Sequence, residues 1–166
     1  VLFQMMQYSD IIFGDQNEWE VASGVPHIPF EALDADYEID KEAYQKYFRK
    51  MHQLFPKCKK MLMAVRNQIA SSHHTLSGLL YDAVEDQLYT TRIYDIEPIV
   101  DPMGVGDAFI AAYIHAHQKW GDKNQYCLDF SLSASAIKNT VPGDQNLVTE
   151  EEIINNMTSS GGRIQR

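Results

Sequence analysis

The sequence predicts an α/β fold with a mainly parallel sheet. Three observations carry that expectation: short apolar runs stopped by glycine or charge, helical segments between them, and a glycine-rich loop entering a helix. Asp10-Ile11-Ile12-Phe13-Gly14 reads as a buried parallel strand, apolar on both faces and ended by Gly14. Asp15 to Ala22 (DQNEWEVA) reads as a helix closing at Gly24, a residue that accepts left-handed backbone as a C-cap. Val25 to Asp40 carries Pro26, Pro29 and several carboxylates, and is expected to be a loop or an insertion. Lys41 to Phe55 is the clearest helix. Asp40 caps it, Tyr44, Tyr47, Phe48, Met51 and Phe55 form one stripe, and Pro56 closes it. Met61 to Val65, Ser77 to Tyr81 and Gln87 to Arg92 are strand candidates, the last two parted by the turn-like Val84-Glu85-Asp86. Asp95 to Val100 leads into the loop Asp101-Pro102-Met103-Gly104-Val105-Gly106-Asp107, after which Phe109, Ile110, Tyr113, Ile114 and His117 recur at helical spacing. A further helix is expected from about Gln125 to Asn139, its Ala and Ser residues allowing close contact. The last one runs from the Thr149 and Glu152 capping box to about Met157.

A chain of 166 residues suits one domain, or part of a larger one, and is long enough for a real core. Apolar residues at 45% and charged residues at 22% exclude wholesale disorder. Lys and Arg total 14 against 23 Asp and Glu, a formal net charge of −9, which argues against a general nucleic-acid or anionic-membrane surface. A local phosphate site stays open, because backbone amides hold phosphate without net positive charge. No stretch approaches the roughly 18 apolar residues of a membrane helix. The start lacks the charged region that opens a signal peptide, so a cytoplasmic location is expected. Val1-Leu2-Phe3-Gln4-Met5-Met6 reads as the middle of an amphipathic segment, and Val1 to Gln4 also resembles a protease-tag remnant. Cys58 and Cys127 belong to no CxxC pair and are expected to be buried, reduced thiols.

The segment Asp101 to Ala112 (DPMGVGDAFIAA) carries the chemistry. Gly104 and Gly106 permit unusual backbone shapes and let a ligand approach the main chain. The free N–H groups of the first helical turn, at the positive end of the helix dipole, form an anion cradle. Asp107 sits inside it, either as a helix cap or as a general base beside amides that stabilise a migrating phosphoryl group.

DPMGVGDAFIAAY resembles the C-terminal signature of the ribokinase-like (PfkB) sugar kinases, D-T-x-G-A-G-D followed by small residues. The match keeps Asp101, Gly104, Gly106, Asp107 and Phe109, and departs at Pro102, Met103 and Val105. The resemblance implies a three-layer α/β/α fold, Asp107 as catalytic base, and an ATP-binding anion hole at Gly104, Val105 and Gly106. Upstream, Ser9 to Glu18 resembles the strand and N-x-x-E motif whose polar groups organise the magnesium-phosphate region. Asp15 stands in place of the usual Asn and Glu18 keeps its place; the alternative is an ordinary helix start. Ala134 to Asn146 (ASAIKNTVPGDQN) and the tail Gly161-Gly162-Arg163-Ile164-Gln165-Arg166 resemble 2-keto-3-deoxygluconate kinases. There the Asp after Pro-Gly reaches the sugar acid, which points to Asp144, although Pro-Gly-Asp also reads as a plain turn. Lys138 and Asn139 fall near where the family holds the nucleotide, and Arg66, at a strand end, is a candidate for ATP phosphates.

The resemblance therefore implies an ATP-dependent carbohydrate kinase using Mg²⁺, with ATP and a small sugar acid as partners. The expected reaction converts 2-keto-3-deoxygluconate to its 6-phosphate; fructose, ribose and nucleoside kinases are the alternatives. A monovalent cation and self-association are left open. Residues 1–166 map onto the C-terminal, ATP-binding half of a family member. The N-terminal half and sugar lid are expected to lie outside this chain, which in isolation reads as an incomplete enzyme or an inactive nucleotide-binding piece. His115 and His117 point to different helix faces and make a poor metal pair, as do the adjacent His73 and His74. The acidic run from Glu31 to Glu42 reads as a solvated face, and Asn156-Met157-Thr158 fits a glycosylation sequon without relevance to a cytoplasmic protein.

Overall fold

A computed structural model describes residues 1–29 and 37–159, together with the backbone of 163–164. The acidic run over 31–42 lies partly outside the described residues, and the 161–166 tail lies outside them except for that backbone.

Apolar runs with no polar alternation need cover on both faces, and the chain supplies it. Strand β1 (Ile11–Phe13) pairs in parallel with β2 (Lys60–Ala70), placing Ile12 opposite Met61. β2 turns through Ser71 and Ser72 into antiparallel β3 (His73–Asp82). The far edge of β3 is shared by β4 (Gln87–Thr90), paired along 79–82, and β5 (Tyr94–Ile96), paired along 74–76. β6 (Arg163–Ile164) adds in parallel to β5, giving the order β1-β2-β3-β5-β6.

The α/β class stands, but the sheet over these residues is mixed rather than mainly parallel. The reason is connection length: two residues between β2 and β3 cannot carry the crossover that a parallel pair requires. The strand expected at Met61 to Val65 continues to Ala70, because the ladder to β3 satisfies the backbone of Arg66, Asn67 and Gln68 whatever their side chains.

Six helices flank the sheet among the described residues: α1 (Leu2–Met6), α2 (Gln16–Ser23), α3 (Lys41–Leu54), α4 (Val105–Trp120), α5 (Asn124–Lys138) and α6 (Glu150–Thr158). The period of two along β2 sorts its residues between two cores. Met61, Met63 and Val65 face the α2–α3 side with Trp19, Tyr44, Tyr47, Phe48, Met51 and Phe55. Leu62, with Leu76 and Leu80 of β3, faces Phe109, Tyr113, Leu128, Leu132 and Ile153 of α4 to α6. This is a three-layer α/β/α arrangement. The expected caps are present: Asp40 accepts from the Ala43 N–H at 2.9 Å, and Thr149 and Glu152 form a capping box. Gly24 ends α2 in the left-handed region at φ 72°. Both cysteines are buried and free. Among the described residues no helix is long and apolar enough to cross a membrane.

At the end of the sheet where β2 begins and β3 finishes, a buried polar knot ties β2, β3 and the α4–α5 turn together. Lys60 Nζ donates to Asp82 Oδ2 at 3.1 Å and Asn124 Oδ1 at 2.5 Å, and pairs with Asp122 at 3.0 Å. Burial opposes the Lys60 charge, but the Asp122 and Asp82 hydrogen bonds outweigh it and hold the ammonium above its ordinary 10.5. Burial likewise pushes the Asp82 carboxyl up, and the Lys60 and Asn124 hydrogen bonds outweigh it, leaving it below its ordinary 3.8. A depressed acid stabilises above its unfolded value, and that contribution disappears as pH falls through the folded one. The stability difference between wild type and Asp82→Asn is therefore expected to be flat at neutral pH and to shrink below about pH 4. Urea midpoints measured down the acid limb check this; a difference independent of pH contradicts it.

Candidate active site

The loop ahead of α4 is built from backbone demands. Gly104 is the N-cap of α4 at φ 73°, and its own carbonyl accepts from the Ala108 N–H at 2.9 Å. A Cβ at this position would stand 2.2 Å from the Asp144 carbonyl oxygen, so the residue must be glycine for both conformation and space. The N–H groups of Val105, Gly106 and Asp107 fall in the first turn, where a helix offers them no acceptor. Around Gly106 a Cβ would meet nothing within 4 Å among the described residues, so this turn is open on that side.

Asp101 holds the turn in place. Its Oδ1 accepts from the Met103 N–H at 3.0 Å and its Oδ2 from the Gly143 N–H at 2.8 Å, joining the 101–104 turn to the 142–144 turn. These two N–H groups hold its carboxyl below the usual carboxylate range. From behind, Ser135 Oγ donates to the Val105 carbonyl at 3.0 Å and Ser131 Oγ to the Phe109 carbonyl at 2.5 Å. The Ser and Ala residues of α5 thus let α4 lie close and tie down its first turns.

Asp107 is the third residue of α4 and is exposed. It does not cap the helix. Gly104 holds that position without a side-chain hydrogen bond, and the Asp107 carboxylate has no hydrogen-bond partner among the described residues. The carboxylate is thus free for other chemistry, next to three N–H groups that lack intrahelical acceptors.

The end of β1 brings the second motif to the same place. Asp15 Oδ1 accepts from the Glu18 N–H at 2.8 Å and Glu18 Oε2 from the Asp15 N–H at 3.0 Å, a capping box that opens α2. The helix-start reading of these residues is correct, and it uses one oxygen of each carboxylate. Gly14 is required here because a Cβ would fall 2.1 Å from the Trp19 indole nitrogen.

Asp15, Glu18, Gly106 and Asp107 line one cavity of about 310 Å³, with Phe13 and Ala64 among the apolar walls. A neighbouring hollow of about 200 Å³ shares Asp15 and Ala64 and is lined also by Gln16, His27 and Arg66. Arg66 is exposed within β2, not at its end, and reaches the Asp15 side of the site. Asp144 is exposed with its backbone against Gly104. Lys138 and Asn139 line neither hollow. Both are buried, with Lys138 Nζ donating to the Val141 carbonyl at 3.0 Å and Asn139 Nδ2 to the Ser135 carbonyl at 3.0 Å. Two parts of the site escape sequence reasoning. The staple role of Asp101 had a faint signal in its Asx-turn pattern, whereas the walls Phe13 and Ala64 had none.

Three carboxylates at one cavity repel a polyphosphate unless a divalent cation accompanies it. Among the described residues no group of three or more His, Cys, Asp or Glu side chains forms a metal site. The capping box engages one oxygen of Asp15 and one of Glu18, and hard carboxylate oxygens of this kind are the chemistry Mg²⁺ takes alongside phosphate and water.

No family model matches the sequence, and no curated protein matches it. Solved structures do. A 2-dehydro-3-deoxygluconokinase from Thermotoga maritima superposes with a TM-score of 0.81 at 26% identity, over 96% of this chain and 44% of that one. The fold is that of the PfkB carbohydrate kinases. A PfkB-family carbohydrate kinase from Listeria grayi gives 0.74 at 25% identity, over 94% of this chain and 43% of its own. Arabidopsis thaliana ribokinase, solved with ribose and ATP, shares the fold at a TM-score of 0.68 and 21% identity. The chain thus spans less than half the length of the PfkB kinases it matches.

Proposed function

We propose that this chain forms the nucleotide-binding and catalytic part of an ATP-dependent sugar kinase that phosphorylates 2-keto-3-deoxygluconate at its 6-hydroxyl. The carrying observation is the shared cavity, in which the Asp107 carboxylate, without a hydrogen-bond partner among the described residues, stands in the open first turn of α4 and shares the lining with Asp15 and Glu18. The N–H groups of Val105 and Gly106 hold charge developing on the transferring phosphoryl oxygens. Asp107 takes the proton of the attacking primary hydroxyl. Asp15 and Glu18 would hold Mg²⁺ by their second oxygens, directly or through water, and the ion when bound neutralises phosphate charge. Arg66 supplements that neutralisation from the adjoining hollow, and Asp144 hydrogen-bonds the sugar acid from the turn packed on Gly104. The lid that excludes water is assigned to the additional length of the larger kinases, because phosphoryl transfer must outrun hydrolysis.

The substrate assignment draws on the likeness to the Thermotoga kinase, whose name states that substrate class. ADP release by the complete protein, with ATP and Mg²⁺ on 2-keto-3-deoxygluconate, fructose and ribose in parallel, tests it. Turnover is expected on the keto-deoxy acid alone. Preference for a neutral sugar would leave a kinase and overturn the role of Asp144; silence on all three would overturn the kinase reading.

A further inference from the structure

Lys138 is wholly buried, with 0% of its surface exposed. Among the described residues it makes no ion pair, and its one hydrogen bond goes to the Val141 carbonyl. A buried ammonium is costly without a negative field around it. The fold supplies one from two sources. Lys138 lies in the last turn of α5, where carbonyl groups point outward and the dipole is negative. Asp101 carries the nearby charge that feels it.

The ammonium holds the Val141 carbonyl, just ahead of the 142–144 turn, and the backbone of the next residue holds the segment leading into the 101–104 turn. The Asn139 carbonyl accepts from the Val100 and Asp101 N–H groups at 2.8 and 3.2 Å. Asp101 in turn accepts from Met103 and Gly143, and Gly104 abuts Asp144. Outward-pointing carbonyl groups at a helix C-terminus, with a carboxylate whose charge feels the site, attract a cation. Here a covalently attached ammonium occupies the region.

We propose that Lys138 is a built-in cation that positions the 101–104 and 142–144 turns around the phosphate loop, so that no monovalent cation is needed from solution. The inference rests on the kinase reading for its purpose, but its structural content is testable without turnover. Lys138 is a positioning residue and touches neither substrate nor phosphate.

The test is amide hydrogen exchange on this chain, read at Met103 and Gly143. Lys138→Ala is expected to speed exchange at both amides by about tenfold or more, while the interiors of α4 and α5 hold their protection. Added ammonium or potassium chloride restores the protection, and tetramethylammonium chloride at equal ionic strength does not. Lys138→Met, which keeps the bulk and drops the charge, behaves as Lys138→Ala without rescue. Unchanged exchange in Lys138→Met would reduce Lys138 to filler and overturn the proposal. Should the variants not fold, wild type alone decides. Its Met103 and Gly143 protection is expected to be the same in potassium and tetramethylammonium chloride, and dependence on potassium would overturn the proposal. Failure of wild type to bind MgATP would instead sink the kinase reading, leaving the exchange result to judge Lys138 by itself.

Discussion

Asp107→Asn is expected, on the proposed kinase reading, to lower kcat by about 10²- to 10⁴-fold, the span of a lost general base. The change is nearly isosteric, and the side chain is exposed and without hydrogen bonds among the described residues, so folding stability should shift by no more than about 1 kcal/mol. MgATP affinity is expected to hold or to tighten slightly, because one negative charge leaves a cavity that already carries Asp15 and Glu18. The diagnostic pattern is therefore a fall in kcat without a rise in the nucleotide Kd. Near-normal turnover would remove Asp107 as base.

Gly104→Val has the second largest expected effect, and it acts on binding. The backbone at φ 73° is unfavourable for a β-branched residue, and the new Cβ must displace the Asp144 carbonyl from 2.2 Å. Left-handed strain and overpacking together are expected to cost roughly 2–6 kcal/mol. The turn gives way first, so the loss should appear as weak or absent MgATP binding before it appears as unfolding. Isothermal titration alongside thermal melts separates the two. Gly106→Ala is the internal contrast: a Cβ there meets nothing within 4 Å among the described residues, so the loop should keep its shape.

Much of this was legible in the residues, for identifiable reasons. The helix at Lys41 announced itself through Asp40, the aromatic stripe and Pro56, all local signals that tertiary context reinforced. The Asp101 to Asp107 loop was readable because its whole run resembles the PfkB signature; two glycines at a helix start alone leave the cap and base readings of Asp107 open. The mixed sheet was not, since strand direction depends on the two-residue β2–β3 turn, hidden in a mostly polar stretch from Arg66 to His74. The capping and ligand readings of Asp15 and Glu18 look like alternatives from sequence. In three dimensions the capping box is present and takes one oxygen of each carboxylate, so it does not exclude the proposed ligand role. The family resemblance sets Lys138 near the nucleotide, and its complete burial only emerges once α5 packs on α4.

The central claim is that the first turn of α4 receives nucleotide phosphate beside Asp15 and Glu18. Amide chemical-shift mapping of this chain with a non-hydrolysable MgATP analogue tests it most directly. The account predicts the largest shifts at Gly104, Val105, Gly106 and Asp107, with smaller ones at Asp15 and Glu18, and none at the Lys60–Asp82 knot. Saturable binding whose shifts cluster elsewhere, leaving that turn unmoved, would contradict it.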